Sequence, residues 1–396
     1  MREQTITSRG SAWPAASDAL AAGVLIGLYA CAVAGVFVPR PAHVLLPLSA
    51  LLLTAALLYL LRFARRGWAP ACSTPFPLHV TCAALTVVPC CLTSHAPLRS
   101  LAAAAAALTV LFAHHAFREA FAAGHLRFLS PRSFAVLTTA AAAVLVFSRF
   151  GAAAARAPYG ILPWYCLSPP AGVPAREFDH LPDLLLLLAF PVAAVLARFP
   201  GARAQRLLGA GACVLIVAAV ILCFSRGAWL ALAVQGALLV VVEGRAQRRG
   251  AAAAAVVLAL AALAAALPAL RERAMSVFDV ASGTGAQRLD QWAVALAGII
   301  ESPVLGHGLG TFGDLYAAAR GGEVWYWCPH NLYLHIAVEC GIPALCIFLG
   351  WVFLLVRQLA PSRRRALVNG VDWRAAMFHA GIISVCGLLA YGFVDL

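Results

Sequence analysis

The chain has 396 residues, of which 63% are hydrophobic and 11% are charged. Ordinary soluble domains have about 45–50% apolar and about 25% charged residues, so this composition excludes a water-soluble globule. All 29 basic residues are arginine, and the formal net charge is +13. Because the arginines lie in short segments between apolar runs, they indicate orientation in a membrane rather than binding to nucleic acid.

Runs of about 20 apolar residues recur along the chain, and each could cross a hydrocarbon core of about 30 Å as a helix. They predict an all-α polytopic membrane protein with eleven transmembrane helices. The predicted spans lie near residues 17–39, 42–62, 77–96, 98–117, 133–151, 182–198, 205–224, 227–243, 251–269, 331–356 and 374–394. The polar stretch before the first span predicts no cleavable signal peptide.

Arginine clusters follow every second span and set the expected orientation. The loops after the second, fourth, sixth, eighth and tenth spans are therefore cytoplasmic, and the C-terminus after the eleventh span is expected to be external. This divides the chain into an N-terminal transmembrane bundle (1–150), an external loop (151–181), transmembrane helices (182–269), a large external loop (270–329) and C-terminal transmembrane helices (330–396). Function on the external face is expected in the two long loops.

The large external loop contains a stretch with apolar residues at helical spacing, which begins at Arg288–Trp292. The apolar positions are Ala295, Leu296, Ile299 and Ile300. This pattern predicts an amphipathic helix that lies on the membrane surface and ends at Pro303.

Three glycines alternate shortly after this helix, at Gly306, Gly308 and Gly310. A glycine-rich loop can cradle phosphate when it follows a strand and opens a helix. Here no strand is predicted before the glycines and no helix of the right kind after them. The pattern therefore favours a tight turn.

Four motifs in the second half of the chain occur in a familiar order. They are Ser225-Arg226-Gly227-Ala228-Trp229, then Arg288 with Trp292, then Pro303 to Phe312 around the alternating glycines, then His330-Asn331 with Gly341 after nine intervening residues. Together they resemble the signature region of the O-antigen ligase and polymerase family, bacterial membrane glycosyltransferases that move glycans from undecaprenyl diphosphate carriers. The resemblance covers Ile221–Phe348, and the family usually has twelve spans, one more than we predict here.

The resemblance implies a reaction at the outer membrane surface, where the leaving diphosphate gains negative charge as the glycosidic bond breaks. Guanidinium groups are permanently charged and grip phosphate oxygens in pairs, so Arg226 and Arg288 are expected to stabilise that charge. Arg226 lies in a short turn between two spans, where a charge is costly without a partner. The alternative is that both arginines contact only lipid headgroups.

His330 is expected to act as the general base that takes a proton from the acceptor hydroxyl. We place it at the opening of the tenth span, where the positive end of a helix favours a neutral imidazole, with Pro329 in the first turn. The alternative is a histidine that only caps or hydrogen-bonds at the interface. A single displacement would invert the anomeric configuration, and no carboxylate pair suggests a double displacement.

Further residues are expected to contact substrate with less support from their pattern. They are Asn331, Trp292, His307 and His180. Polarity in a solvated loop explains His180 and His307 equally well, and the aromatic residues of both loops also fit an interfacial belt. Cys166 and Cys328 are the two external thiols, and an oxidising compartment would permit a disulfide between them.

The resemblance thus implies a bacterial inner-membrane enzyme with its site facing the periplasm. The expected donor is an undecaprenyl-diphosphate-linked glycan, and the expected acceptor is lipid A core or another glycan. No cofactor and no metal are expected, and the bilayer is the only other partner. Ligation is favoured over repeat-unit polymerisation and protein O-glycosylation, while a lipid-linked glycan transporter and a scaffold are the alternatives from other classes.

Overall fold

The computed structural model describes residues 86–104, parts of 133–143, 181–198, 202–222, 225–243, 275, 283–321, 328–357 and 373–394. Within these ranges all regular secondary structure is α-helical, as predicted. The expectations for His180, for the Cys166–Cys328 disulfide and for the spans 17–39, 42–62 and 251–269 lie outside the described residues.

Residues 86–93 and 97–104 are helical and are separated by a bend at 94–96. Further along the chain the helices are α1 (Leu181–Arg198), α2 (Arg203–Leu222), α3 (Arg226–Glu243), α4 (Gly283–Glu301), α5 (Phe312–Arg320), α6 (Leu332–Arg357) and α7 (Trp373–Gly392). All of them lie in one compact unit, which comprises residues 75–103 and 131–396.

Five predicted spans coincide with α1, α2, α3, α6 and α7, and their ends differ from the predicted ends by two residues at most. Residues 203–221 of α2 and the whole of α6 are long and apolar enough to cross a membrane, and shorter apolar helices cover 226–241 and 376–392. The total of eleven spans remains a prediction.

Helices α1, α3 and α7 pack against one another, with α7 antiparallel to the other two. Near the start of α1, the Ser384 hydroxyl of α7 donates a hydrogen bond to the Leu188 carbonyl at 2.9 Å. Nearer its end, Leu196 packs against Ala380, which comes earlier in α7. Helix α2 packs antiparallel to α1, since Gly209 lies against Ala197 and Cys213, further along α2, packs against the cluster of Ala194.

A proline within α1 explains a buried glutamine on α3. Pro191 has no N–H, so the carbonyl of Leu187, four residues earlier, loses its normal helical donor. The Gln235 side chain is fully buried, and its Nε2 donates a hydrogen bond to that carbonyl at 2.8 Å. A backbone carbonyl in an apolar bundle is costly to leave unpaired, so Gln235 replaces the missing donor.

Helix α4 runs beside the first half of α6 in the same direction. An apolar cluster of Val294, Ala295, Phe312 and Val338 joins α4, α5 and α6. The predicted helix is therefore confirmed, but its apolar residues are divided between two faces. Ala295 is buried against protein, whereas Leu296 and Ile300 are exposed, because α6 takes one side of the helix. The predicted position on the membrane surface is not tested by these contacts.

Candidate active site

The motif around Arg226 is built by the junction of α2 and α3. The Ser225 hydroxyl accepts a hydrogen bond from the Ala228 N–H at 3.2 Å, so Ser225 is the N-cap of α3 and Arg226 its first residue. Trp229 Nε1 donates to the carbonyls of Val220 and Ile221 at 3.0 and 3.2 Å, at the end of α2. Cap and tryptophan together fix the position from which the Arg226 side chain extends.

Trp292 connects the helix of Arg288 to the segment of His330. Its Nε1 donates a hydrogen bond to the Pro329 carbonyl at 3.0 Å, and its ring meets that of Phe393 edge-on with centroids 6.5 Å apart. Arg288 lies one turn before Trp292 on α4. The structure therefore brings the elements that carry Arg288 and His330 together, and it gives Trp292 a positioning contact.

Residues 328–331, here called the His330 turn, precede α6 instead of forming its first turn. Helix α6 begins at Leu332, so the expectation that Pro329 and His330 open the helix is wrong. His330 has a positive φ of 49°, which a helical first turn does not allow. The cap is Asn331, whose Oδ1 accepts the N–H groups of Tyr333 and Leu334 at 3.0 and 3.1 Å.

Asn331 also ties the His330 turn to the end of α7, because its Nδ2 donates to the Phe393 carbonyl at 3.0 Å. The side chain is 4% exposed and bonds on both sides of its amide. The observed contacts of Asn331 are therefore structural. The sequence predicted contact with the substrate and did not predict these hydrogen bonds.

The packing places the ends of these elements at one end of the described helices. Helix α3 is antiparallel to α7, because Gln235 lies against Gly387 while Leu239, further along α3, packs with Ile383, which comes earlier in α7. Phe393 follows the last turn of α7, so the start of α3 lies at the same end as Phe393. Arg226 therefore shares that end with the His330 turn and the start of α4. The buried acid Asp183, in the first turn of α1, lies there as well.

The alternating glycines lie in residues Ser302–Thr311, here called the glycine loop. The loop turns tightly, as predicted, with positive φ at Gly306, Gly308 and Gly310. It does, however, open a helix, since α5 begins at Phe312, and this corrects the sequence interpretation. A helix start with free N–H groups binds an anion, and here the anion is a carboxylate of the chain itself.

That carboxylate belongs to Glu339 of α6, which is 4% exposed. Its Oε2 accepts the Gly310 N–H at 2.9 Å, and its Oε1 accepts the N–H groups of Thr311 and Phe312 at 3.0 and 3.1 Å. His335 Nε2 lies 3.1 Å from Oε1, one turn earlier on α6. The start of α5 is thus already occupied, which removes the basis for a phosphate-binding role of the loop.

Helix α6 is broken where the glycine loop docks. Pro343 has no N–H for the Glu339 carbonyl, and that carbonyl instead accepts the Gly308 N–H at 2.9 Å. The Val338 carbonyl accepts the His307 N–H at 3.0 Å. The Ile342 N–H donates to the Pro303 carbonyl at 2.8 Å instead of to the Val338 carbonyl within the helix. Loop backbone therefore satisfies the groups that the break exposes.

Two glycines make this close approach possible. Gly341 has a φ of 83°, and a Cβ atom on it would lie 2.1 Å from the Val304 carbonyl oxygen. A Cβ on Gly306, with a φ of 68°, would lie 2.4 Å from the Glu339 carbonyl. The Gly341 that follows the His-Asn pair is thus explained by backbone-to-backbone packing.

His307, expected to line the site, joins α4 to the loop. Its Nε2 lies 2.9 Å from the Gly298 carbonyl and must carry the proton of that hydrogen bond. The side chain therefore holds α4 against the loop, and this contact accounts for the residue without a substrate.

The bend at 94–96 and the helical residues on either side of it also support the glycine loop. Residues 89–100 are here called the serine turn. The Cys90 thiol donates to the Glu339 carbonyl at 2.9 Å, and the Ser100 hydroxyl donates to the Leu309 carbonyl at 2.9 Å. Arg99 pairs with Asp314 of α5 at 2.5 Å. Sequence reasoning did not predict these contacts, because nothing in the sequence of a bend between two apolar segments indicates which distant segment it contacts.

An exposed ion pair joins α4 to α5 outside the apolar spans. Arg320 forms a salt bridge with Asp290, and the Tyr316 hydroxyl donates to Asp290 Oδ2 at 2.7 Å. These hydrogen bonds, first from Arg320 and then from Tyr316, hold the pKa of the Asp290 carboxyl below its ordinary value. The pair fixes α5 against the first half of α4.

Comparison with known proteins gives a family match for this part of the chain. Residues 211–349 match the O-antigen ligase family model. The match confirms the resemblance that the motifs suggested. The matched residues include Arg226, Arg288, the glycine loop, His330 and Glu339. The serine turn lies outside these residues, although its side chains contact them.

A curated relative supports the same reading. The chain is 35% identical over 85 residues to the "Putative polysaccharide ligase" of Rickettsia conorii. That alignment covers 19% of this chain and 21% of the relative. The chain therefore matches about a fifth of the relative's length.

Proposed function

We propose that the protein transfers a glycan from an undecaprenyl-diphosphate carrier to an acceptor hydroxyl at the periplasmic face of the bacterial inner membrane. The observation that carries this proposal is the gathering of the starts of α3, α4 and α6 at one end, within a region that matches the O-antigen ligase family. Ligation to a glycolipid acceptor such as lipid A core is the activity we favour.

In this proposal Arg226 and Arg288 neutralise the leaving diphosphate. Arg226 is the first residue of α3, where the positive end of the helix adds to its own charge. A guanidinium can bind two phosphate oxygens at once, so two arginines suffice to hold a diphosphate without a metal ion. Their attraction grows as the glycosidic bond breaks and the charge on the leaving oxygen increases, which lowers the barrier.

His330 takes the proton of the acceptor hydroxyl while that oxygen attacks the anomeric carbon, in a single inverting displacement. Support comes from its backbone, because a non-glycine residue with positive φ is uncommon and such strained residues cluster at functional sites. Capping by Asn331 and the hydrogen bond from Trp292 hold the turn in this conformation.

The test is glycan transfer by purified protein in liposomes that contain the lipid-linked donor and candidate acceptors. Arg226→Ala, Arg288→Ala and His330→Ala are each expected to reduce turnover by about 10²- to 10⁴-fold, as for loss of a catalytic acid–base or charge-stabilising group. The matched control is Arg206→Ala, which removes an exposed arginine near the start of α2, at the opposite end of the bundle.

Wild-type turnover in the Arg226 and His330 variants would refute the assigned roles. Products separate the activities within the family: a single transfer to lipid A core indicates a ligase, growth of the glycan a polymerase, and transfer to a protein an oligosaccharyltransferase. Movement of intact donor across the bilayer without any new glycosidic bond would indicate a transporter.

A further inference from the structure

We propose that Glu339 is a positioning residue for glycan transfer: its buried carboxylate fixes the glycine loop, and the loop fixes the helix of Arg288 relative to the His330 turn. This inference rests on the proposed function and adds to it a residue that does not touch the substrate. It depends on three contacts between α6, the loop and α4.

The first contact is the carboxylate itself. Glu339 accepts three successive backbone N–H groups, from Gly310, Thr311 and Phe312, at 2.9 to 3.1 Å. Those groups belong to the last loop residues and the first helical residue, so one side chain fixes both the exit of the loop and the start of α5. An apolar residue of similar size could fill the space but would leave three donors unpaired, two of which, those of Thr311 and Phe312, are buried.

The second contact is between the loop and the broken part of α6. His307 and Gly308 donate their N–H groups to the carbonyls of Val338 and Glu339, at 3.0 and 2.9 Å. Glu339 thus binds the loop twice, through its side chain at one point and its carbonyl at another. Loss of the carboxylate would release the second half of the loop and leave the first half with its backbone contacts alone, which weakens the docking of His307 as well.

The third contact transmits the position to α4. His307 Nε2 bonds the Gly298 carbonyl near the end of that helix, at 2.9 Å, while Trp292 bonds the Pro329 carbonyl at its middle. Besides its apolar contacts with α6 and the Asp290 contacts with α5, helix α4 is therefore held by hydrogen bonds at two levels, and the one near its end depends on the loop. Without the loop, α4 can pivot about Trp292, and Arg288 one turn away moves relative to His330.

The experiment compares Glu339→Ala and Glu339→Gln with a control that weakens the fold elsewhere. The control is Gln235→Leu, in the α1–α3–α7 bundle, whose hydrogen bonds do not involve the loop. For each folded, purified variant three quantities are measured: kcat, the KM for the lipid-linked donor, and the hydrogen–deuterium exchange of residues 302–312.

We expect Glu339→Ala to speed exchange across 302–312, to raise the donor KM about tenfold and to lower kcat about tenfold, since a displacement of about 1 Å can cost about 10²-fold in rate. Glu339→Gln keeps an oxygen for Thr311 and Phe312 but turns an NH₂ group towards Gly310, so its effects should be intermediate. Gln235→Leu should lower the melting temperature and leave the donor KM unchanged.

A merely structural role for Glu339 predicts the same donor KM in all folded variants, and that result would overturn the proposal. Unchanged exchange of the loop would overturn it as well. If Glu339→Ala does not fold, Glu339→Gln decides the matter, because it keeps the side-chain volume. If the wild-type chain transfers no glycan, the proposed function fails and the catalytic half of this proposal with it, while loop exchange still reports whether Glu339 holds the loop.

Discussion

Asp290 is an exposed residue that helps to position α4, the helix that carries Arg288 and Trp292. It lies two residues from both Arg288 and Trp292, and its carboxylate joins α4 to α5 by way of Arg320 and Tyr316. An exposed ion pair contributes little, up to about 1 kcal/mol. Here two hydrogen bonds accompany it, so we expect an effect near the upper end of that range.

The lowered pKa of Asp290 predicts a pH dependence with a definite sign. A carboxyl whose folded pKa is depressed stabilises the fold fully above its unfolded pKa of about 3.9, and this contribution is lost as the pH falls through the lower, folded pKa. Asp290→Asn should therefore reduce the free energy of unfolding at pH 7 by up to about 1 kcal/mol.

The measurement is the difference in unfolding free energy between wild type and Asp290→Asn in detergent as the pH is lowered from 7 to 3. The difference should shrink only below about pH 4. Glu301→Gln, at an exposed acid on the last turn of the same helix, is the matched control and should show no such difference. A gap that persists undiminished to pH 3 would mean that the carboxylate charge plays no part.

The residue scale also shows where sequence reasoning reached its limit. Arg226 and Trp292 stand out because they belong to the motifs that resemble the O-antigen ligase and polymerase family. Glu339 does not stand out, because a single acidic residue within an apolar helical segment gives no indication of its three hydrogen-bond donors. Those donors come from a loop about 30 residues earlier, and no periodic pattern links the two segments.

Helices α1 and α6 share one feature: each contains a proline. In each, the carbonyl four residues before the proline accepts a hydrogen bond from another element. In α1 the donor is the Gln235 side chain, and in α6 it is the backbone of Gly308. Sequence reasoning predicted both helices from hydropathy but neither donor. Hydropathy reports that a segment is apolar, not which of its backbone groups lack partners.

A double-mutant cycle tests the pairing of Pro191 with Gln235. Gln235→Leu should destabilise the bundle by about 1 kcal/mol, because the Leu187 carbonyl loses its donor. In a Pro191→Ala background the helix regains an N–H for that carbonyl, so the same substitution should cost clearly less. The two changes should therefore be coupled in SDS-induced unfolding of the protein in mixed micelles.

Ser384→Ala provides the matched control for this cycle. Ser384 bonds the carbonyl of Leu188, whose helical donor is Val192 and not the proline. Its effect should add to that of Pro191→Ala without coupling. Equal coupling for Gln235 and Ser384 would indicate that the proline acts through helix bending instead of through the missing N–H.

At the scale of the whole molecule, the arginine pattern predicted which ends of the helices lie on the same side, and the packing of the described helices agrees with that alternation. The start of α3 and the His330 turn lie at one end, while the end of α1 and the start of α2 lie at the other. Hydropathy and charge suffice for this level because they act on whole segments. Hydropathy and charge could not predict the contact between the serine turn and the glycine loop, because it depends on individual hydrogen bonds.

Thiol labelling tests the orientation of this arrangement in the membrane. In a background without the twelve native cysteines, a cysteine in place of Ala319 on α5 should react with an impermeant maleimide in spheroplasts. A cysteine in place of Arg203, at the start of α2, should react only after permeabilisation. Both positions are exposed, so labelling of both from the outside would contradict the orientation.

The bond between Cys90 and Glu339 joins residues 249 positions apart. During translation the serine turn therefore emerges long before its partner, and it must wait through the synthesis of every helix from α1 to α5. Contacts of such large sequence separation form late and slowly. The region around the broken helix therefore cannot be completed before α6 has been synthesised, and until then the Cys90 thiol is made without its partner carbonyl.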